Sequence, residues 1–318
     1  MGRYIARRLL LAVPTVLGAA LLIFLIMRII PGDVAVMLAG GGEEAAAHPE
    51  KVEAVREALG LNEPLHIQFT RWMGDFFQGR WGESLWTKQP IQELLGRRYP
   101  LTLELAALAV LLSWLIAVPA GTVSAVRQDT WLDYVPRFLS IIGLAIPNFW
   151  LGMLVIMFLV STLGWFPELT YTPPWQDPLR NFSQLVFPAL VVGTAQAAVT
   201  SRMMRSSLLD VLREDYIRTA RAKGLPSSLV LNRHAMRNAL IPVITLAGVQ
   251  LGTLISGSVV TEVVFNLPGL GQALVDSVNT RDYPVVQTLV LMFTLGFILL
   301  NLLVDILYSW LNPRVRYG

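Results

Sequence analysis

The 318-residue chain contains no cysteine, three histidines, three lysines and few charged residues of any kind. The absence of cysteine excludes disulfides, thiol catalysis and cysteine-ligated metals. The histidines, His48, His66 and His234, are too far apart in sequence to indicate a metal cluster. Only 15% of the residues are charged, whereas a soluble chain carries about a quarter. Composition therefore argues against a soluble enzyme, and we predict neither a metal site nor a catalytic residue.

The low lysine content bears on nucleotide binding. Lys51, Lys88 and Lys223 are the lysines of the chain, and none of them completes a Gly-x-x-x-x-Gly-Lys-Ser/Thr phosphate-binding motif. We therefore expect no cofactor in this chain. The formal charge of +3 is small and the basic residues are scattered, so no continuous basic face for nucleic acid is expected either.

Apolar residues, by contrast, are abundant. They make up 54% of the chain, and the mean hydropathy is +0.55. A helix needs roughly 20 apolar residues to cross a bilayer, and six runs approach or exceed this length. We predict an all-α polytopic membrane protein with six transmembrane helices, at residues 9–30, 101–126, 138–163, 185–204, 240–264 and 285–311. Pro119, Pro147 and Pro188 lie inside such runs, which helix bundles tolerate.

The distribution of basic residues predicts the orientation. With the N-terminus inside, the inner segments hold 15 Lys and Arg residues and the outer segments hold 9. Because inner loops carry the excess of positive charge, we predict that both termini are cytoplasmic. The first run follows Arg3, Arg7 and Arg8 and is too long for a signal peptide, so we interpret it as a retained helix.

This topology divides the chain into four parts. Residues 1–30 form the N-terminal segment and first transmembrane helix, and residues 31–100 form an extracytoplasmic loop region. Residues 101–311 form the transmembrane core, with a cytoplasmic loop at 205–240, and residues 312–318 form a cytoplasmic tail. The loop region at 31–100 is expected to cap a pore mouth, to dock a partner, or to place its aromatic residues at the membrane interface; these residues are Phe69, Trp72, Phe76, Phe77 and Trp81.

The cytoplasmic loop contains a helix pattern that ends at a glycine. We predict a helix over residues 208–224, since Gly224 is well placed to terminate it, with Leu225 as the apolar residue that follows. Ser227 is then expected to cap a second short helix toward Asn238. Apolar positions of the first helix recur every four residues, which predicts one buried face: Leu208, Leu212, Tyr216 and Ala220.

The charge of this loop allows two interpretations. Between Arg202 and Arg237 there are eight basic and three acidic residues. A loop of this charge is typical of the cytoplasmic side of any membrane protein. The order of the residues favours a second interpretation, in which two short helices joined at a glycine form a knob that binds a partner.

The run from Glu214 to Leu225, EDYIRTARAKGL, resembles the cytoplasmic EAA loop of bacterial ABC-importer permeases, as does RHAMRNALIP from Arg233. Both runs resemble the dipeptide and oligopeptide branch in particular. The chain departs from the general pattern because Arg218 and Thr219 replace the opening Glu and first Ala. Further fragments cover nearly the whole chain in order: YIARRL from residue 4, IPGD from 30, YPLTLEL from 99, AIPNF from 145, EVVFNLPGLG from 262 and RDYP from 281.

The resemblance implies a type I ABC-importer permease fold and a set of partners. These are a homologous second permease subunit, two cytoplasmic ATPase subunits that bind ATP and Mg²⁺, and an extracytoplasmic solute-binding protein. The setting it implies is the lipid bilayer of a bacterial or archaeal cytoplasmic membrane. The cargo it implies is a di- or oligopeptide, with nickel chelates, glutathione and oligosaccharides as alternatives within the same branch.

The resemblance also assigns residues to ATPase coupling. In the family, the first helix of the EAA loop sits in a cleft of the ATPase and transmits nucleotide-driven closure to the transmembrane helices. The residues that this implies are Tyr216, Arg218, Thr219, Ala220, Arg221, Ala222, Lys223, Gly224, Leu225, His234, Arg237 and Asn238.

A second group of residues is predicted to lie at the permease interface or along the transport path. Gly248, Gly252 and Ser256 recur every four residues, which predicts close helix packing either within the chain or against a second permease subunit. Glu262 is expected near the outer interface in a solvated position. Gly269 and Gly271 predict a tight outer turn, either near an external gate or as a plain connection.

Two rival functions predict different features. An ion-coupled secondary transporter should place ionisable groups near the bilayer midplane, and no clear pair of such groups is seen in the runs. An intramembrane enzyme should carry a catalytic motif, and neither His-Glu-x-x-His nor Gly-x-Ser-x-Gly occurs. Both rivals are disfavoured.

Overall fold

The computed structural model describes residues 2–29 and 32–311, with side chains described from residue 8 onward except at 255–257, 305 and 307–311. These residues form helices and loops, with one isolated antiparallel bridge between Glu83 and Pro90. The helices are α1 Gly2–Ile29, α2 Val34–Leu38, α3 Gly42–Ala47, α4 Pro49–Ala58, α5 Leu65–Phe77, α6 Ile91–Val126, α7 Trp131–Ala145, α8 Asn148–Leu163, α9 Pro178–Leu212, α10 Asp215–Ala222, α11 Ser227–Leu229, α12 Met236–Gly257, α13 Val259–Val264, α14 Leu270–Asn279 and α15 Tyr283–Leu311. Between α11 and α12 lies a π-helical segment, Val230–Ala235.

Four helical segments among the described residues are long and apolar enough to cross a membrane. They belong to α1, α6, α9 and α15, and the bent pair of α7 and α8 makes a fifth if it is counted as one span. The predicted all-α polytopic membrane protein is confirmed. The number six stays a prediction, because the fifth predicted span, residues 240–264, is divided between α12 and α13.

The third predicted span is wrong as a single helix. Residues 138–163 belong to α7 and α8, which meet at an angle of 102°. Ile146 adopts an extended conformation, with φ −82° and ψ 122°, directly before Pro147. A residue before proline is driven out of the helical region by a clash with the proline ring, so α7 ends there. Pro188, whose preceding residue stays helical, lies inside α9 without ending it.

The chain divides into two compact units by its contacts. The first unit comprises residues up to 100 together with 272–296, and the second comprises residues 101–271 together with 297 onward. In the first unit, the loop after α5 is joined to the segment before α15. Ser84 Oγ donates to Asp282 at 2.5 Å, and the Trp86 indole donates to the Thr280 carbonyl at 2.7 Å. Sequence order gave no indication of this pairing.

Several aromatic side chains of the predicted loop region pack against one another or against α1 in the first unit. Phe24 of α1 contacts the rings of Phe69 and Trp72, with centroids 5.3 and 6.2 Å away. Phe76 is buried and stacks on Trp81. Of the five, Phe76 is buried, Phe69, Trp72 and Trp81 are partly buried, and Phe77 is exposed.

In the second unit, glycines allow close helix packing. A Cβ atom at Gly121 of α6 would lie 2.5 Å from the Ser201 carbonyl of α9, and one at Gly193 of α9 would lie 2.9 Å from the Ala109 carbonyl of α6. Both distances are below normal contact, so only glycine allows α6 and α9 to approach this closely. Such small-residue contacts are a common means of holding membrane helices together.

Candidate functional site

Helix α10 is a short, separately capped helix that ends at Gly224, as predicted. Gly224 has φ +77°, a left-handed conformation that glycine adopts without a Cβ clash. Its amide donates to the Arg221 carbonyl at 2.9 Å, and the Leu225 amide donates to the Ala220 carbonyl at 3.4 Å. This pair of bonds is the Schellman motif. The prediction of a glycine-terminated helix is confirmed.

The predicted start of this helix is wrong. The chain does not continue as one helix from residue 208, because α9 ends at Leu212 and α10 begins at Asp215. Between them Glu214 is extended, with ψ 147°. The repeat of apolar residues every four positions did not reveal the break, since two separate helices point their apolar residues into the same core. Tyr216, expected on the buried face, is 41% exposed, and Ile217 is buried instead.

One apolar cluster connects α10 to the transmembrane helices of the second unit. Ile217 and Ala220 are the buried residues of α10 in this cluster. Around them lie residues of α6, α9, the π-helical segment and α12, so α10 shares one core with three long helices. The buried members are Ala125, Met204, Leu208, Ile217, Ala220, Val230, Ala235, Ala239 and Val243.

Two polar contacts strengthen this connection. The Asn238 amide of α12 donates to the Tyr216 hydroxyl of α10 at 2.7 Å. Ser207 Oγ of α9 donates to the Ala239 carbonyl of α12 at 2.9 Å. Tyr216 and Asn238, both singled out from the sequence, are therefore in contact although 22 positions separate them.

The second helix of the loop is not a separate element. α11, the π-helical segment and α12 follow each other without a break, so the helix that begins at Ser227 runs into α12. Pro226 rather than Ser227 occupies the N-cap position, and it makes no side-chain capping bond. Within this continuous helix His234 is partly buried and Arg237 is exposed.

The exposed face of α10 carries positive charge. Arg218, Arg221 and Lys223 are all exposed. Arg218 pairs with Asp215 at 3.1 Å, but their side chains are 72% and 93% exposed, so the pair contributes little to stability. Thr219 donates its hydroxyl to the Asp215 carbonyl, and Ala222 is an exposed small residue between Arg221 and Lys223. This face is open for contact with another protein.

The prediction of a solvated Glu262 is wrong. Its side chain in α13 is fully buried. The carboxyl group accepts hydrogen bonds from Thr102 Oγ1 at 2.8 Å, Ser258 Oγ at 3.0 Å and the Gly271 amide at 2.7 Å. A buried carboxyl group requires such partners, which only the folded chain supplies. Sequence reasoning missed Thr102 and Ser258, although each interrupts an apolar stretch.

Gly269 and Gly271 border this carboxyl group. A Cβ at Gly269 would lie 2.3 Å from Glu262 Oε2, and one at Gly271 would lie 2.5 Å from the Val259 Cα. Neither glycine has a positive φ, so close approach to Glu262 and α13 explains them, rather than the conformation of a tight turn. The Glu262 carboxyl group therefore packs against Gly269 of the loop between α13 and α14 and accepts from Gly271 in α14.

The small-residue stripe of α12 packs within the chain. A Cβ at Gly248 would lie 2.1 Å from a Val304 methyl group, and Gly252 lies against Phe297, both residues of α15. Packing inside the chain therefore accounts for these two glycines. The side chain of Ser256 lies outside the described residues.

Sequence reasoning also missed a buried ion pair between α7 and α9. Asp133 of α7 is fully buried, and Arg205 of α9 donates two hydrogen bonds to it, each of 2.8 Å. Ser124 Oγ of α6 donates to the same carboxylate at 2.5 Å. Asp133 thus joins three helices. The sequence feature that could have revealed this ion pair is Asp133 itself, an acidic residue in the first turn of the largely apolar helix α7.

Comparison with known proteins agrees with this architecture. Residues 117–317 match the family described as "Binding-protein-dependent transport system inner membrane component", and residues 1–106 match its N-terminal companion. Over 317 residues that cover both chains completely, the sequence is 43% identical to the glutathione transport system permease protein GsiC of Salmonella typhi. It is 41% identical, again over the full length of both, to a putative peptide transport system permease protein of Brucella abortus strain 2308.

Proposed function

Because the chain belongs to the family of binding-protein-dependent transport system inner membrane components, we propose that it is the permease subunit of an ATP-driven importer of short peptides. The resemblance noted in the sequence is thereby confirmed at the level of the family. Such a permease is a multi-pass inner membrane protein and is not itself catalytic. ATP and Mg²⁺ are assigned to separate ATPase subunits.

The proposed machine contains a second, homologous permease, two cytoplasmic ATPases and an extracytoplasmic solute-binding protein. The solute path runs between the two permeases, in the type I arrangement with six transmembrane helices and both termini in the cytoplasm. The excess of basic residues in the inner segments supports this orientation. Glu262, Gly269 and Gly271 are assigned to a rigid loop on the outer side, near the external gate.

The observation that carries the proposal is the construction of α10. Its outward face is exposed and basic, and its inward face, Ile217 and Ala220, lies in a core shared with α6, α9 and α12. A helix built this way can bind a partner on one side and move the transmembrane helices on the other. We propose that α10 and the loop to Leu225 form the coupling helix that the ATPase receives.

A bulky residue on the outward face tests this assignment. We expect Ala222→Trp to abolish the stimulation of ATP hydrolysis by the binding protein in nanodiscs that contain the assembled transporter, because the indole blocks entry into the ATPase cleft. Ser228→Trp, an exposed position beyond Gly224, is the matched control and should retain most of the stimulation. Normal stimulation of ATP hydrolysis in the Ala222 variant would contradict the assignment of α10 as the coupling helix.

The cargo is proposed as a short peptide. The relatives named for peptide and for glutathione transport support this class, since glutathione is itself a modified tripeptide. A binding screen on the cognate solute-binding protein, with di- and oligopeptides, glutathione, oligosaccharides and nickel chelates, tests it. Selective binding of a sugar or a nickel chelate would replace the peptide proposal while leaving the permease assignment intact.

The same preparation tests the rival of an ion-coupled transporter. If the permease pair moves solute across proteoliposomes without its ATPases, driven by an ion gradient, the ATP-driven proposal is wrong. We expect no transport under these conditions and transport on addition of the ATPases, the binding protein and MgATP.

A further inference from the structure

A cleft between α7 and α9, which we call the arginine cleft, is lined by basic and apolar side chains. Its volume is about 750 Å³, within the range of roughly 300–1,000 Å³ typical of ligand pockets. Its lining contains three arginines and no acidic residue. The lining residues are Arg137, Ile141, Val199, Arg202, Met203, Arg205 and Ser206.

Two carboxylates lie near the three arginines: Asp133, and Asp129, which acts electrostatically on Arg205. Asp133 lies behind the cleft, already holds Arg205 through two hydrogen bonds, and is 4.0 Å from Arg137. Arg202 forms no ion pair with a carboxylate among the described residues. Three arginines therefore face two carboxylates, Asp133 and Asp129. The remaining positive charge suits a phosphate group, a preferred partner of arginine.

The other wall of the cleft is apolar and exposed. Ile141 is 62% exposed, and Val199 and Met203 are each 38% exposed. On α7, the exposed aromatic residues Trp131 and Tyr134 precede Arg137 within two turns. Trp and Tyr concentrate where the membrane meets water. The arginines thus lie at the depth of lipid headgroups, with apolar surface continuing toward the bilayer interior.

We propose that the arginine cleft binds the phosphate headgroup of an anionic phospholipid, with an acyl chain along Ile141, Val199 and Met203. The chemistry is a phosphate diester held by Arg137 and Arg202, while Arg205 remains committed to Asp133. Basic pockets between membrane helices commonly hold anionic lipids in this way. The bound lipid would brace α7 against α9 beside the core that carries α10. Only the assignment to the inner leaflet rests on the proposed function.

Lipid retention by the full-length chain tests the proposal. The purified protein is equilibrated with equal amounts of phosphatidylglycerol and phosphatidylcholine of matched acyl chains, and the retained lipids are measured by native mass spectrometry. We expect wild type to prefer phosphatidylglycerol, and the double variant Arg137→Gln/Arg202→Gln to lose that preference by about fivefold for each arginine removed. Arg137→Lys/Arg202→Lys should retain most of it, because the charge is kept.

The controls separate this site from general attraction of anions. Arg213→Gln/Arg233→Gln removes the same charge at exposed positions outside the cleft and should change the preference less than about twofold. Because Arg205 is left in place, Asp133 stays paired in these variants. If the double variant does not fold, Arg202→Gln alone should show the fivefold loss of the preference for phosphatidylglycerol. An unchanged preference in the cleft variants, or an equal loss in the control, overturns the proposal.

Two further outcomes would also overturn it. Competition by inorganic phosphate as effective as that by the lipid would make the cleft a site for free anions. Efficient cross-linking of Met203→Cys to a second permease subunit would make it a protein interface. A reversed membrane orientation would change the leaflet but not the lipid preference, so failure of the proposed function and failure of this inference can be told apart.

Discussion

Glu262 illustrates at the residue scale how a polar side chain is accommodated inside this membrane protein. Its carboxyl group is fully buried and accepts from two hydroxyls and one amide that come from three separate segments. Glycine at 269 and 271 provides the space that the carboxyl group occupies. The residue therefore organises the loop between α13 and α14, a role that a solvated glutamate would not have.

We expect Glu262→Leu to lower the free energy of unfolding by about 2–4 kcal/mol, because the Gly271 amide and the Thr102 and Ser258 hydroxyls lose their acceptor. Glu262→Gln should cost less, about 1 kcal/mol, since its amide oxygen can accept from Gly271 while the hydroxyls turn to accept from its nitrogen. Denaturant unfolding of the two variants in detergent micelles measures this. Equal stability of the Leu variant and wild type would contradict the role assigned to Glu262.

Asp33 is a second residue whose environment predicts behaviour, in this case with pH. Burial raises the pKa of its carboxyl, but hydrogen bonds from Arg56 and the Ala35 amide lower it by more, so the pKa lies below the ordinary 3.8. The Ala35 bond, of 2.8 Å, caps the start of α2, and Arg56 Nε donates from α4 at 3.0 Å.

A lowered pKa in the folded state means that Asp33 stabilises this region fully above its unfolded pKa and loses the effect as pH falls through the folded value. We therefore expect hydrogen exchange in α2 and α4 to accelerate as pH falls below about 4, after correction for intrinsic exchange. In Asp33→Asn, which keeps an oxygen for the Ala35 amide, the acceleration should be absent. An identical pH response in both proteins would refute the Asp33 contribution.

At the scale of single elements, α10 shows how a short helix gains a defined position. With eight residues it is too short to be stable alone. Its stability comes from the Schellman motif at Gly224 and from the burial of Ile217 and Ala220. The helix is therefore held by its C-terminal end and its core face, which leaves the other face exposed.

Gly224→Ala and Gly164→Ala form a matched pair at this scale. Both glycines have positive φ, of 77° and 63°, and open space around the missing Cβ, so each substitution should cost about 1 kcal/mol of local backbone strain. Hydrogen exchange near each site should show similar losses. We expect only Gly224→Ala to reduce ATPase stimulation by the binding protein, and equal effects of both variants would argue against a coupling role.

At the scale of the whole molecule, the orientation in the membrane can be tested directly because the chain has no cysteine. Thr87 and Ser228 are exposed and lie in segments predicted on opposite sides. We expect a membrane-impermeant maleimide to label Thr87→Cys in intact spheroplasts, and Ser228→Cys only after permeabilisation. The reverse pattern would invert the orientation, and labelling of both from outside would contradict the six-span topology.

Local properties of the sequence were sufficient for much of this protein. The lengths of the apolar runs identified the helices α1, α6, α9 and α15, and a glycine followed by Leu225 and Pro226 predicted the end of α10. The order of short fragments identified the family. Each of these depends on neighbouring residues, so each is readable without the fold.

Only the tertiary structure decided which residues meet. The burial of Glu262, the joining of α7 and α9 by Asp133, and the pairing of Ser84 with Asp282 across 198 positions all require contacts between distant segments. The buried face of α10 belongs to the same class, because Ile217 rather than Tyr216 turns inward once α9 has ended at Leu212. The spacing of apolar residues predicts that a helix has one buried face. The packing of several helices determines which residues lie on that face.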